Sequence, residues 1–163
     1  MTHTISSTYN SLITVSGTAD NPTTITAAAL LGAGLYADSF GAAWLIANAG
    51  SVLGSGITLA SAGTVTNAGS IASNTTSPSG QGILLSAGGS VTNQSDGTIS
   101  GKIGIQVSVA AGMVSNSGGI IGNSTVGDGI LLQAGGSISN ESSGAITGYV
   151  GINAANSSAA VVN

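Results

Sequence analysis

The sequence predicts an all-β fold, a right-handed parallel β-helix (β-solenoid) with three short strands in each coil of about 22 residues. Three observations predict it. A degenerate repeat opens on Gly-Ile, each copy holds three short apolar runs, and an asparagine returns at the same place in successive copies.

The repeat is the first element to justify. Copies begin at Gly56 (GITLASAGTVTNAGSIAS), Gly82 (GILLSAGGSVTNQSDGTISG), Gly104 (GIQVSVAAGMVSNSGGIIG), Gly129 (GILLQAGGSISNESSGAITG) and Gly151 (GINAANSSAAVVN). A less regular copy opens at Gly34 (GLYADSFGAAWLIANAGSVLG), and another is suggested from Leu12. Their starts, counted from Gly34, are separated by 22, 26, 22, 25 and 22 residues. The additions fall at Asn74–Gln81 and Asn123–Asp128, polar stretches that read as exposed loops. The whole chain, 1–163, therefore reads as one solenoid domain, with 1–33 an irregular N-terminal coil or cap and 34–163 the repeat coils.

The strands come next. Apolar runs such as Ile83–Leu85, Val91 with its neighbours, and Ile99 are too short for helices and rich in β-branched residues. A period near 22 fits poorly with the left-handed helix, whose coils come in multiples of about six residues. A hairpin sandwich also uses short strands, but it does not predict one apolar residue at one place in every copy.

Stacking then assigns the interior. Ile57, Ile83, Ile105, Ile130 and Ile152 are expected to form one column, and Val65, Val91, Val114, Ile138 and Val161 a second. Ile71, Ile99, Ile121 and Ile146 are expected to form a third. The asparagines follow the second column: Asn67, Asn93, Asn116, Asn140 and Asn163, with Asn48 an earlier member. At a corner, Asn accepts left-handed backbone geometry, and its amide donates to one neighbour while accepting from the next. Repeated once per coil, such amides form a ladder. Gly88-Gly89 and Gly135-Gly136 read as tight corners rather than a phosphate cradle, because neither GxxxxGK[ST] nor a strand–GxGxxG–helix unit occurs.

Composition restricts the function. The 163 residues include one Lys, no Arg and five carboxylates, so charged residues make up 4% of the chain, against about 25% in an ordinary domain. Hydrophobic content of 42% with so few charges predicts a folded chain. A single Lys102 cannot neutralise a phosphate backbone, which excludes nucleic acid as a partner. There is no Cys, hence no disulfide framework. The most apolar stretch, Ala27 to Leu35, is far too short to span a membrane, and no basic n-region precedes an apolar run as in a signal peptide.

Reactive groups are scarce: Asp20, Asp38, Asp96, Asp128, Glu141, Lys102 and His3. Asp96 and Glu141 follow ladder asparagines two coils apart, roughly 10 Å at the parallel-strand spacing, which falls in the range of an inverting carboxylate pair. A solvated loop carboxylate is the ordinary reading of each. His3 has no partners at zinc spacing, and the calcium nonapeptide is absent, so no metal or other cofactor is expected. Trp44 and Tyr36 fall in the irregular copy, where they are expected to cap or widen the core. Outward positions of the asparagine strands read Thr64/Thr66, Ser90/Thr92, Met113/Ser115, Ser137/Ser139 and Ala160/Val162, a hydroxyl array too broken to be a good ice-binding face.

The segments from Gly82 and Gly129 resemble the repeats of large secreted or surface-anchored bacterial β-helix proteins, the autotransporter passengers and adhesin-like β-strand-repeat proteins. The resemblance covers residues 34–163 well and the first third loosely. It implies a secreted or cell-surface location and an adhesive, biofilm or fibre-forming role. It transfers no active-site residue. A carbohydrate-binding or carbohydrate-processing β-helix is the alternative. The expected partners are other copies of the chain, the rest of a longer repeat protein, or surface glycans.

The ends carry one further expectation. The chain closes on Val161-Val162-Asn163, the end of a second strand, and opens on Thr4-Ile5-Ser6, which resembles the third-strand motif Thr98-Ile99-Ser100. Head-to-tail stacking, with one copy's start completing another's last coil, follows from that likeness.

Overall fold

The structure, a computed structural model, describes residues 2–74, 80–155 and 158–163. Strands do not pair with their neighbours in sequence. Each pairs in parallel with the strand one coil away, which builds three parallel sheets along a common axis. Among the described residues the first sheet holds His3–Ile5, Thr23–Ile25, Trp44–Asn48, Gly63–Asn67, Gly89–Asn93, Gly112–Asn116, Gly136–Asn140 and Ala159–Val162, in that spatial order. The second sheet runs from Thr8–Tyr9 through Leu30–Leu31, Ser51–Val52, Ser70–Ala72, Thr98–Ser100 and Gly119–Ile121 to Ala145–Thr147. The third runs from Ile13–Val15 through Leu35–Ala37, Ile57–Leu59, Gln81–Leu85, Ile103–Val107 and Asp128–Leu132 to Val150–Ala154. This is a three-stranded β-solenoid of about seven coils. Of the two expected loops, residues 75–79 of the first lie outside the described residues. The second is a turn in which Asn123 Oδ1 accepts the amides of Thr125 and Val126.

Alternation along each strand sends every second side chain inward, and parallel pairing in register sets like on like. Ile57, Ile83, Ile105, Ile130 and Ile152 stand opposite one another in the third sheet. Val65, Val91, Val114, Ile138 and Val161 do so in the first. A further column absent from the sequence reading lies two residues beyond the Gly-Ile isoleucines: Leu59, Leu85, Val107 and Leu132, all fully buried. Full burial of such a side chain is worth roughly 1.5–3 kcal/mol, and each column repeats it coil after coil.

Two expectations are corrected. The column of the second sheet passes through Ile120, not Ile121: Ile99, Ile120 and Ile146 are in register, Ile120 is buried, and Ile121 is 45% exposed. The corner after the asparagine varies in length, so counting from Asn116 does not separate two adjacent isoleucines. The second correction concerns the start. Thr4-Ile5 belongs to the first sheet, paired with Thr24-Ile25, not to the sheet of Thr98–Ser100. It therefore repeats the place of Ala159–Val162 and does not complete the coil that follows them.

The stretch 1–33, expected as an irregular coil or cap, contributes strands to the same three sheets from His3 onward. Its irregularity lies in its side chains. In the asparagine column the first two coils carry Ile5 and Ile25, and in the Val65 column they carry His3 and Thr23. Trp44 fills the core at the boundary. It is fully buried, with Phe40 edge-on at 4.5 Å and its indole N–H donated to the Asp38 carbonyl at 2.6 Å. The room comes from Gly63, which stands opposite it one coil later. Tyr36 points outward and plays no part in this packing.

Candidate functional site

Two features stand out on this scaffold, a buried line of amides and a broad uncharged face. The line begins at Asn48. Its Nδ2 donates to Asn67 Oδ1 at 2.8 Å, Asn67 to Asn93 at 2.9 Å, Asn93 to Asn116 at 2.9 Å, Asn116 to Asn140 at 2.8 Å and Asn140 to Asn163 at 2.7 Å. Each donating amide also reaches a glycine carbonyl at its own corner, that of Gly50, Gly69, Gly97, Gly118 or Gly144. Asn48, Asn67, Asn93 and Asn116 are at most 2% exposed. Buried polar groups must be bonded, and these bond one another.

The ladder has a direction, because every Nδ2 points toward the following coil. At its first member the amide oxygen is taken by the Gly50 N–H at 3.1 Å, since Ile25 one coil earlier offers no donor. The corner glycines make room for it. A Cβ on Gly97 would lie 2.9 Å from Asn67 Nδ2, closer than side chains pack. What this arrangement does chemically is hold coils in register: a slip of one residue turns the amides to the outward column of Ala47, Thr66, Thr92, Ser115 and Ser139, and a slip of two sets them against valines and isoleucines.

The face is the outer surface of the first sheet. Its columns read Leu45, Thr64, Ser90, Met113, Ser137, Ala160 and Thr24, Ala47, Thr66, Thr92, Ser115, Ser139, Val162. No ionisable side chain stands in either column. Glu141 touches only the margin, accepting a hydrogen bond from the Ser139 hydroxyl at 2.9 Å. Leu45 and Met113 interrupt the hydroxyls and are 51% and 60% exposed.

Asp20, Asp38, Asp96, Lys102 and Glu141 lie outside the strands, whereas His3 and Asp128 each open a strand, in the first and third sheets. Asp96 and Glu141 are both exposed, in the corners after Asn93 and Asn140. Asp20 lies 3.3 Å from His3 and accepts the Ser16 amide, and Asp128 accepts from Asn153 at 3.2 Å. Among the described residues, no three His, Cys, Asp or Glu side chains gather as metal ligands would. No helix there is long and apolar enough to cross a membrane. On the third sheet a second amide row, missed by the sequence reading, runs Gln81 to Gln106 at 3.1 Å and Gln106 to Gln133 at 3.3 Å, with the Ser108 hydroxyl on Gln133 at 2.6 Å. Its residues are not in strand register, since Gln81 stands opposite Ile103 and Gln106 opposite Leu131, so the repeat gave no signal for it.

Compared with protein-family models, with curated proteins and with solved structures, the chain matches none.

Proposed function

We propose that the chain is a structural solenoid of the bacterial cell exterior, a building block of a fibre, adhesin or biofilm matrix. The observation that carries this reading is the uninterrupted ladder from Asn48 to Asn163. Buried amides bonded coil to coil serve persistence of the rod and offer nothing to a substrate. The same stacking supports the likeness to secreted bacterial repeats. Protease treatment of intact cells producing the full protein tests it. Loss of this segment from unlysed cells is the expected result, and protection until lysis would overturn the reading.

A carbohydrate-binding role is the second reading, supported by the surface row of Gln81, Gln106 and Gln133, whose amides and the Ser108 hydroxyl suit sugar hydroxyls. A glycan array with the chain and its Gln106→Ala variant separates the two readings. Binding lost in the variant supports the glycan role. Asp96→Asn and Glu141→Gln variants that process a bound glycan as well as the parent does would remove the acid-pair mechanism.

A further inference from the structure

We infer that the outer face of the first sheet is a self-association surface, on which two copies of the chain pack antiparallel about a two-fold axis between Thr64 and Ser90. The inference stands on the shape of the face and does not depend on where the protein resides.

On this face Met113 protrudes and a depression lies beside Leu45. Met113 projects from the sixth coil between Ser90 and Ser137, 60% exposed among small side chains. Centred on the third coil is a shallow depression of about 120 Å³, lined by Pro22, Thr24, Leu45, Ala47, Thr64 and Thr66. Leu45, Thr64, Ser90 and Met113 belong to one column. A two-fold axis parallel to the strands lays that column on its own copy with the coil order reversed. Placed between the fourth and fifth coils, it sets Met113 of each copy against the depression beside Leu45 of the other, and all eight strands overlap.

The magnitudes fit this arrangement. Five of the eight strands have five residues and the others three or four, so at about 3.3 Å per residue and about 4.8 Å per strand roughly 550 Å² is covered on each copy. The total of about 1,100 Å² is that of a weak specific interface, below the standard size. No ionisable side chain within the two columns is desolvated, which removes the usual cost of covering a surface. At the axis, the Thr64 and Ser90 hydroxyls already bond each other within one chain at 2.9 Å, so covering them leaves neither without a partner. A contact of this kind closes on itself and yields a dimer, not a filament.

Sedimentation velocity of the 163-residue chain from micromolar to about 1 mM tests it. A monomer–dimer equilibrium is expected, weakened at least 100-fold by Met113→Asp and by Leu45→Asp. Met113→Ser, which matches the serines on either side in the column, keeps the test valid if an aspartate disturbs folding; it is expected to weaken the dimer at least tenfold. The chain has no cysteine, so single-cysteine variants report orientation. Ser90→Cys is expected to cross-link to itself through a bismaleimide spanning about 10 Å, the separation of packed sheets. Ser137→Cys, about 26 Å from its own copy in this arrangement, is expected not to. A monomer at every concentration, a dimer indifferent to these substitutions, or equal cross-linking of the two cysteine variants would each overturn the inference.

Discussion

The first two coils and the coils from Asn48 onward occupy the same three sheets, yet hydrogen-bonded amides line one corner of the later coils and aliphatic side chains that corner of the earlier ones. Ile5 and Ile25 stand where Asn48, Asn67, Asn93, Asn116 and Asn140 stand later. Both solutions leave the corner buried, since Ile25 and Asn67 are each 0% exposed. An aliphatic corner gains from area alone and tolerates any neighbour. An amide corner gains only if each amide finds partners, from the coils before and after or, as at Asn48, from a backbone N–H of its own corner. Parallel stacking fixes where the strands lie, and the side chain decides whether coils are merely packed or also bonded in one register.

The most severe way to break the later region acts on its backbone. Gly89 has φ +129°, and a Cβ there would fall on the Gly63 carbonyl oxygen one coil below. The clash is with main chain, so no side chain can move to relieve it, and the left-handed φ adds strain. Gly89→Ala is expected to cost more than about 4 kcal/mol, read as the shift in urea midpoint. The counterpart position in the third coil carries Trp44, where the chain accepts the largest side chain because Gly63 lies opposite.

The next effect comes from forcing one region's solution on the other. Ile25→Asn places an amide beside Asn48, as an extension of the ladder would require. Its oxygen then faces Ile5, which has no donor, in a site with no access to water. The loss of a buried isoleucine and the unpaired oxygen together are expected to destabilise by about 3–5 kcal/mol. Gain of stability in the same denaturation measurement would mean that the first two coils are aliphatic by accident, not by lack of a neighbour.

Removing an amide from the middle of the ladder is expected to cost somewhat less. Asn93→Leu deprives Asn116 Oδ1 of its donor and removes the bonds to Gly97 and Gly119, while Asn67 Nδ2 keeps its own glycine carbonyl. About 2–4 kcal/mol is expected. Amides do not titrate between pH 4 and 9, so the difference between variant and parent is expected to be the same at about pH 4 and pH 8. A difference that collapses at low pH would assign the effect to a carboxylate nearby instead of to the ladder.

The same contrast explains how much the sequence shows. The Gly-Ile and asparagine columns are legible because their residues keep one identity through five copies, and identity at a fixed period means stacking. The second-sheet column is misplaced at Ile121 because its corner has two lengths. Gln94–Gly97 and Glu141–Gly144 are four residues long, whereas Ala68-Gly69 and Ser117-Gly118 are two. Each corner closes on glycine, and the inward residue is the second one after it: Val52, Ile71, Ile99, Ile120, Ile146. Counting from the glycine recovers Ile120. The placement of Thr4-Ile5 was not legible, because a three-residue Thr-Ile-Ser match carries no information about which sheet it joins. The Met113 protrusion was read as an outward residue, but the depression opposite it in the proposed dimer depends on how Pro22 and Leu45 stand across two strands, which no periodicity records.

The smallest effect lies at the last rung. Asn163 is exposed and accepts a single ladder bond, from Asn140, whose own second bond to Gly144 survives its loss. Solvent can supply Asn140 with a replacement partner, so the penalty for an orphaned buried group does not arise. In the 163-residue chain Asn163→Ala is therefore expected to cost less than about 1 kcal/mol, well below Asn93→Leu, which loses two amide–amide bonds where Asn163→Ala loses one. Equal costs at the two positions would mean that the ladder acts as one cooperative unit along its whole length. A cost at Asn93 well over twice that at Asn163 would show instead that burial, beyond the number of amide–amide bonds, sets what each asparagine contributes.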